Sequence, residues 1–539
     1  MDGIRDKTIV PTVDIIPRPE KIERRSGQYC LDGESEIYAD TPNLWNADYL
    51  RNLLAPSTGL PLEIQSDRLI VKNGIHLVLN PGLEPLGHEG YRLEISPDAI
   101  LIESFWTAGV FYGIQTLRQL LPVEIEERVS VIGADWRIPC LLIEDKPRFS
   151  WRGFMLDDGR YFHGKEIVYL TIDLMALQKL NIFHWHLTED QGWRVEIKKY
   201  PALTEVGSHR DGTSKTMLGR THDGIPHAGF YTQDEIREIV AYAARRNITI
   251  VPEIEMPGHS LAALASYPEL ACNAGPFQVA THFGVFPDIY CAGKDRVFIF
   301  LQDVLDEILA LFPSPYIHIG GDEAPKKRWK RCPDCQQRIR EQGLMDEQAL
   351  QGYFTNRIAA YLDSKGRKVI GWNEILQEGL VESAVIQYWA GGRQRLFEAV
   401  RNQNRFVVMS SYLSAYLDHG YNLMPLSLAY QYEPIPDELE QEHAGSILGL
   451  EFPLWSEWVP DRPRLDYQVY PRLTAMAETG WTSKDKKDQE DFLRRLEKFL
   501  VRLHQLGVGF APLREAQPSI IRQWFGIFSI PLPQTRTAR

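Results

Sequence analysis

The sequence is poor in cysteine, short of positive charge and without long apolar runs, and each shortage removes a class of protein. Six cysteines in 539 residues are too few for a disulfide scaffold. Cys332 and Cys335 form one Cys-Pro-Asp-Cys segment without a second pair at zinc-ribbon spacing, and Cys272 and Cys291 flank a stretch rich in glycine and proline. For these four, bridged, metal-bound and free states all stay open, and no metal is assigned. Lysine and arginine number 59 against 72 acids, a formal charge of −13, which argues against nucleic acid or an anionic membrane as the main partner. No stretch approaches the ~18 uninterrupted apolar residues of a membrane span. The first twenty residues mix acids, bases and prolines and lack the apolar centre of a secretory signal. A soluble, cytoplasmic protein is expected, or a secreted one if a leader has been removed. Internal repeats at solenoid or propeller periods are also lacking.

What is present is ordinary globular composition, 44% hydrophobic and 24% charged, with one excess, thirteen tryptophans. The segments GIHLVLN, YRLEISPD and AILIESF alternate apolar and polar residues as half-buried antiparallel strands do. With the helix-like run TAGVFYGIQTLRQLL, they predict an α+β domain with an antiparallel sheet over residues 1–148. From Trp151 the pattern becomes strand then helix, repeated. Apolar strands are predicted at 153–156, 181–187, 248–255, 316–320, 368–372, 384–389, 406–410 and 447–455, separated by amphipathic helices. Eight such units over 149–485 predict a (β/α)8 TIM barrel. A last helix, DFLRRLEKFLVRLHQLG, and a tail over 486–539 are expected to pack on the barrel.

Barrel enzymes of this type place their chemistry at the C-terminal strand ends, so the polar residues just past each apolar run are the candidates. Asp-Glu occurs five times, but only Asp322-Glu323 comes after a buried strand, behind two glycines. The same filter selects His184, His186, Glu189 and Asp190 after one strand, and Glu253, Glu255 and His259 after the next. Three strands end in tryptophan, Trp372, Trp389 and Trp455, which suits an aromatic-walled pocket for the C–H faces of a sugar. Glu374, Asp418 and Glu457 stand near enough to accept hydroxyl hydrogen bonds. Adjacent carboxylates diverge at a strand end, so they suit different tasks better than the opposed pair of an ordinary retaining glycosidase. Substrate-assisted hydrolysis, in which a 2-acetamido oxygen replaces the enzyme nucleophile, fits that division.

In order along the chain, GYRLEIS, GVFYGIQTLRQLLP, WRGFMLDDGRYF, KLNIFHWHLTEDQGWR, VPEIEMPGHS, YIHIGGDEAPK, IGWNEIL, YLD and LWSEW resemble glycoside hydrolase family 20, the β-N-acetylhexosaminidases. The resemblance implies an exo-acting retaining enzyme that removes terminal β-linked GlcNAc or GalNAc through an oxazolinium intermediate, with no cofactor. It implies Asp322 as the residue that orients the acetamido group and Glu323 as general acid and base. Tyr416 would hydrogen-bond the acetamido oxygen. Arg152, Asp418 and Glu457 would hold ring hydroxyls, Trp372, Trp389 and Trp455 would wall the pocket, and Asp190 and His259 would support the acid. Glu189, Glu255 and Asn373 depart from residues frequent at their positions, which bears on specificity. The expected partner is an N-acetylhexosamine-terminated glycan or glycoconjugate. Oligomeric state, the preference between GlcNAc and GalNAc, and the aglycone are not set by these motifs. Two other readings remain: a metal-dependent barrel hydrolase built on His184-x-His186, and a sugar-binding protein without catalysis.

Overall fold

The computed structural model describes residues 13–66, 73–216, 221–377, 379–391, 393–403, 405–439, 441–519 and 522. The chain divides into two units, Met1–Arg148 with Trp481–Gly509, and Phe149–Gly480 with Phe510–Arg539.

The second unit is a closed barrel of eight parallel strands: Trp151–Asp157, Ile182–His186, Thr249–Glu253, Tyr316–His318, Lys368–Trp372, Val385–Tyr388, Val407–Met409 and Ile447–Leu454. Closure is made by the eighth strand on the first, with Leu450 opposite Arg152 and Leu454 opposite Leu156. Each observed strand coincides with one of the predicted apolar runs to within three residues at either end. The helices obey their periodicity. Asp295–Leu311 buries Val297, Phe298, Leu301, Val304, Leu305 and Ile308, the three- and four-residue spacing of one helical face. Trp151, Ile182, Val251, Ile370, Val385 and Val408 fill the lower barrel with apolar side chains. The layer above them is charged, and the site stands on it.

The first unit holds a seven-stranded sheet in the order Lys21–Cys30, Arg137–Asp145, Tyr91–Ile95, Ala99–Ser104, Gly74–Leu79, Glu36–Ala39, Ile64–Ser66. It is mixed, which corrects the antiparallel expectation: Gly74–Leu79 runs parallel to both Ala99–Ser104 and Glu36–Ala39. Alternation of apolar residues reports which face is buried and carries no information about strand direction. The last helix, Gln489–Gln505, was expected on the barrel and belongs to this first unit. Its apolar face of Phe492, Leu496, Phe499 and Leu503 is buried. Arg502 joins Arg118 on the buried Glu126 carboxylate, where Arg118 Nε donates at 2.9 and 3.1 Å. Residues 520, 521 and 523–539 of the expected tail lie outside the described residues.

Candidate active site

The charged layer inside the barrel is a lattice of imidazoles and carboxylates from strands two, three, four and eight. His184 Nδ1 lies 2.7 Å from Glu451 and its Nε2 lies 3.1 Å from Glu253. His186 bonds Glu253 through Nδ1 and reaches Glu189 through Nε2 at 3.3 Å, and His318 lies 2.6 Å from Glu253. Trp372 Nε1 donates to Glu253 at 2.9 Å, and Trp151 Nε1 to Glu451 at 2.9 Å. Burial opposes charge on both early histidines. Glu451 and Glu253 outweigh it at His184, holding its pKa at about 9, and Glu253 with Glu189 raises His186 to about 10. Both are therefore cations at neutral pH. Their ring nitrogens are turned to carboxylates from neighbouring strands, so the pair is part of an ion-paired lattice beneath the site.

Above this lattice, the turn after the fourth strand presents Asp322 and Glu323. Gly320 (φ +63°), Gly321 (+95°) and Glu323 (+43°) all occupy the left-handed region, and a non-glycine residue held there is strained backbone of the kind found at functional sites. The turn is tight because Glu255 lies directly beneath it. A Cβ built on Gly320 would come within 1.7 Å of Glu255 Oε2. Burial, then the charges of Asp322 and Glu253, push the Glu255 carboxyl well above the carboxylate range. Gly320→Ala is expected to lose about 2 to 4 kcal/mol of stability through overpacking and backbone strain. Gly507→Ala, at a helix end where φ is +69° but a Cβ meets nothing within 4 Å, should lose only about 1 kcal/mol. Urea unfolding midpoints of the two variants give the comparison.

The turn separates the two carboxylates. The Asp322 side chain is 12% exposed, whereas the Glu323 side chain is 43% exposed. His259 lies between them, with Nε2 at 3.7 Å from Asp322 Oδ2 and 3.7 Å from Glu323 Oε2. Its Nδ1 is held by Glu189 at 2.8 Å and stands 3.4 Å from Asp190. Burial disfavours the imidazolium, but Glu189 and Asp190 outweigh it and raise the His259 pKa well above its ordinary value. Asp322 is pushed up to about 7 by burial first, opposed by His259 and reinforced by Glu374, Glu253 and Glu323. One of its oxygens, Oδ1, is buried without a hydrogen-bond partner among the described residues.

Strands five to eight supply the walls. Trp372 and Trp455 have ring centroids 5.7 Å apart, Trp455 and Tyr416 6.3 Å, and Tyr416 stacks on Trp389 at 6.2 Å with 26° between planes. Glu374 fixes Trp389 by accepting from its Nε1 at 3.0 Å, and Asn373 Oδ1 accepts from the Trp389 backbone N–H at 3.0 Å. Asp418 and Glu457 close the arc. Burial pushes both carboxyls up to about 7, Glu457 further under the charges of Asp157 and Asp418.

Arg152 does not join this group. It stands second in the first strand, at the opposite end of the barrel, with Nη1 on the Phe149 carbonyl at 2.7 Å and Nε on the Lys179 carbonyl at 2.8 Å. The arginine at the mouth is Arg160, three residues after the strand ends. It contacts Glu189 at 3.1 Å, Asp157 at 3.3 Å and Glu457 at 3.9 Å, and its guanidinium lies 4.6 Å from the Trp455 ring centroid. Its Nε is buried without a partner among the described residues, a donor free for a ligand. The strand-end rule would have selected it, since FMLDDGR places Arg160 after the apolar run and Arg152 before it. Asp322, Glu323, Trp372, Trp389, Trp455, Glu457, Asp190, His259, Tyr416 and Asp418 all lie at the C-terminal strand ends or in the loops that follow them.

Comparison with known proteins identifies the family. The family description "Glycosyl hydrolase family 20, catalytic domain" matches residues 149–484, and "Glycosyl hydrolase family 20, domain 2" matches residues 12–146. A β-hexosaminidase of Porphyromonas gingivalis is 43% identical over 519 residues, covering 93% of this chain and 65% of that protein. The chain thus spans about two thirds of that relative's length. The GH20 β-N-acetylhexosaminidase of Streptomyces coelicolor A3(2) superposes with a TM-score of 0.82 at 33% identity, over 93% of this chain and 98% of the other. A mutant Streptomyces plicatus β-hexosaminidase in complex with its product GlcNAc gives 0.83 at 33% identity, over 94% and 98%. The chain belongs to glycoside hydrolase family 20.

Proposed function

We propose that the protein is an exo-acting, retaining β-N-acetylhexosaminidase that releases terminal β-linked GlcNAc or GalNAc by substrate-assisted catalysis. The observation that carries this reading is the depth difference between two consecutive carboxylates: Asp322 deep against the aromatic arc, Glu323 at the mouth. A terminal sugar seated on Trp455 puts its 2-acetamido group toward Asp322 and Tyr416 and its glycosidic oxygen toward Glu323. Tyr416, buried so that its hydroxyl stays protonated, donates to the acetamido oxygen and aims it at the anomeric carbon. Asp322 accepts from the acetamido N–H and stabilises the positive charge that develops as the ring closes to the oxazolinium. Glu323 gives its proton to the leaving oxygen, then takes one from the water that opens the intermediate. Two inversions at the anomeric carbon give net retention. Arg160, Asp418 and Glu457 hold the outer hydroxyls, and a pocket closed beneath by charged residues admits a chain end only.

Arg160→Lys is expected to raise KM for a chromogenic β-GlcNAc substrate about tenfold or more, because an ammonium cannot keep the planar contacts to Glu189, Trp455 and a hydroxyl together. Arg152→Lys should lower the melting temperature and leave KM near the wild-type value. If the two variants exchanged these effects, the placement of the sugar would be wrong.

Turnover of 4-nitrophenyl β-GlcNAc and β-GalNAc, with inhibition by a thiazoline that mimics the oxazolinium, tests the reading. Retention of N-acetylhexosamine without turnover would instead mark a sugar-binding protein.

A further inference from the structure

Cys272 and Cys291 stand at least 41 residues before the Cys332–Cys335 pair, yet the fold gathers the four sulfur atoms within 4.8 Å of one another. Cys291 Sγ lies 3.6 Å from Cys332 and 3.5 Å from Cys335, and Cys272 lies 3.8 Å from Cys335. Four thiolates at ~2.3 Å from one zinc ion form a tetrahedron whose sulfur–sulfur edges are about 3.8 Å. A pair of disulfides would instead single out two separations near ~2 Å. Cys291 is equidistant from two partners to within 0.1 Å, and no pairing is singled out.

The backbone around the cluster is shaped for thiolates. Cys332 stands at the N-cap of the helix Pro333–Glu341 and Cys335 lies in its first turn, the two-residue spacing of a zinc knuckle. An antiparallel bridge between Ala271 and Tyr290, with Cys291 N–H donating to the Leu270 carbonyl at 2.9 Å, draws the other two cysteines together across their eighteen intervening residues. The Gly293 N–H donates to Cys291. That approach requires glycine, because a Cβ there would lie 2.2 Å from the Asp334 carbonyl carbon and 2.3 Å from the Cys335 nitrogen. Cys291, Cys332 and Cys335 are buried and Cys272 is half-buried, so the cluster is closed on three corners as a structural site is.

We propose that these four cysteines bind one zinc ion, which staples the loop after the third barrel strand to the loop after the fourth. The first loop carries His259 and the second carries Asp322 and Glu323, so the ion acts on the reacting groups only by positioning them. Two polar links join the same loops: Arg328 pairs with Asp288 at 2.7 and 2.9 Å, and Trp329 Nε1 donates to the Tyr290 carbonyl at 2.9 Å. Zinc binding is independent of the proposed glycosidase activity. Neither the site nor its ion takes part in bond breaking, and no electron transfer is required, only release of thiol protons as the metal binds.

Metal analysis and thiol counting on the full chain, expressed with added zinc and without exogenous reductant, test the proposal. The expected result is about one zinc per chain, with all six cysteines reacting with a thiol reagent in denaturant plus chelator. Cys335→Ser and Cys272→Ser should each lose the zinc, and Cys30→Ser should keep it. Should Cys335→Ser fail to fold, Cys272→Ser at the half-buried corner gives the same reading, and cobalt substitution of the wild type should add thiolate-to-metal charge-transfer absorption. Only two reactive thiols would mean two disulfides and overturn the proposal. Six thiols without stoichiometric metal, iron in place of zinc, or full zinc content in both serine variants would overturn it equally.

Discussion

Glu323→Gln is expected to lower kcat on an alkyl or nitrophenyl β-GlcNAc glycoside about 10²- to 10⁴-fold with little change in the urea unfolding midpoint. The side chain is 43% exposed at the mouth, so an amide of the same shape neither buries a new polar group nor opens a cavity. The substitution removes the proton for the leaving oxygen and the base for the incoming water. The signature that separates this role from a structural one is leaving-group dependence. With a dinitrophenyl glycoside, whose leaving group needs no proton, kcat/KM should fall much less than with an alkyl glycoside, while kcat stays low because water still lacks its base. A uniform loss across leaving groups would point to displaced geometry and away from acid catalysis. The strained φ of Glu323, +43°, belongs with this role, since the turn holds the carboxyl at the mouth while its neighbour points inward.

Asp322→Asn is expected to lower kcat about 10²- to 10³-fold on acetamido substrates, the scale of losing one preorganised electrostatic contact to a developing charge. Its pH behaviour is set by the position of the carboxyl. Asp322 titrates at about 7, far above the ~3.9 of an unfolded aspartate, so its ionised form is disfavoured by folding. That cost is absent below the unfolded pKa, grows between the two values and is complete above about 7. The asparagine variant should therefore gain melting temperature relative to wild type, more at pH 8 than at pH 5. Wild-type kcat/KM should decline as pH falls through about 7, where the site loses its anion. Because the charge of Glu374 contributes to the raised value, Glu374→Gln should move that acid limb to lower pH. Asp418 and Glu457 titrate in the same range, so the limb reports the cluster. An asparagine variant less stable than wild type at pH 8, or a Glu374→Gln limb moved upward, would contradict the electrostatic picture.

Much of the barrel and its site is legible in the chain because strand-end position is a one-dimensional property. Apolar runs in the barrel mark strands, and the polar or aromatic residues at the end of each run mark the mouth, so Asp322, Glu323, Trp372, Trp389 and Trp455 stand out from the sequence alone. Arg152 and Arg160 flank the same strand, one before and one after its apolar run, so the WRG motif and the strand-end rule point to opposite ends of the barrel. Strand direction in the first unit was not legible, because alternation in GIHLVLN and AILIESF is identical for parallel and antiparallel neighbours. The amphipathic helix Gln489–Gln505 announced that it had a partner, but periodicity cannot name one. The lattice of His184, His186, Glu189, Glu253 and Glu451 joins residues more than 260 apart, and whether a buried histidine is neutral or cationic depends on carboxylates contributed by other strands. The cysteines were opaque for the same reason. Read as two local pairs they implied little, and only the closure of two loops makes them a foursome.

The central claim is that the substrate's own acetamido oxygen is the nucleophile, held by Tyr416 and Asp322. It is tested most directly by kcat/KM for a series of 4-nitrophenyl glycosides whose acetyl group carries zero to three fluorines. Fluorination withdraws electron density from the carbonyl oxygen while leaving the ring, the leaving group and the contacts to Arg160, Asp418 and Glu457 unchanged. A steep fall along the series, roughly tenfold or more from acetyl to trifluoroacetyl, is expected when that oxygen attacks in the transition state. A flat series would contradict it and require an enzyme nucleophile.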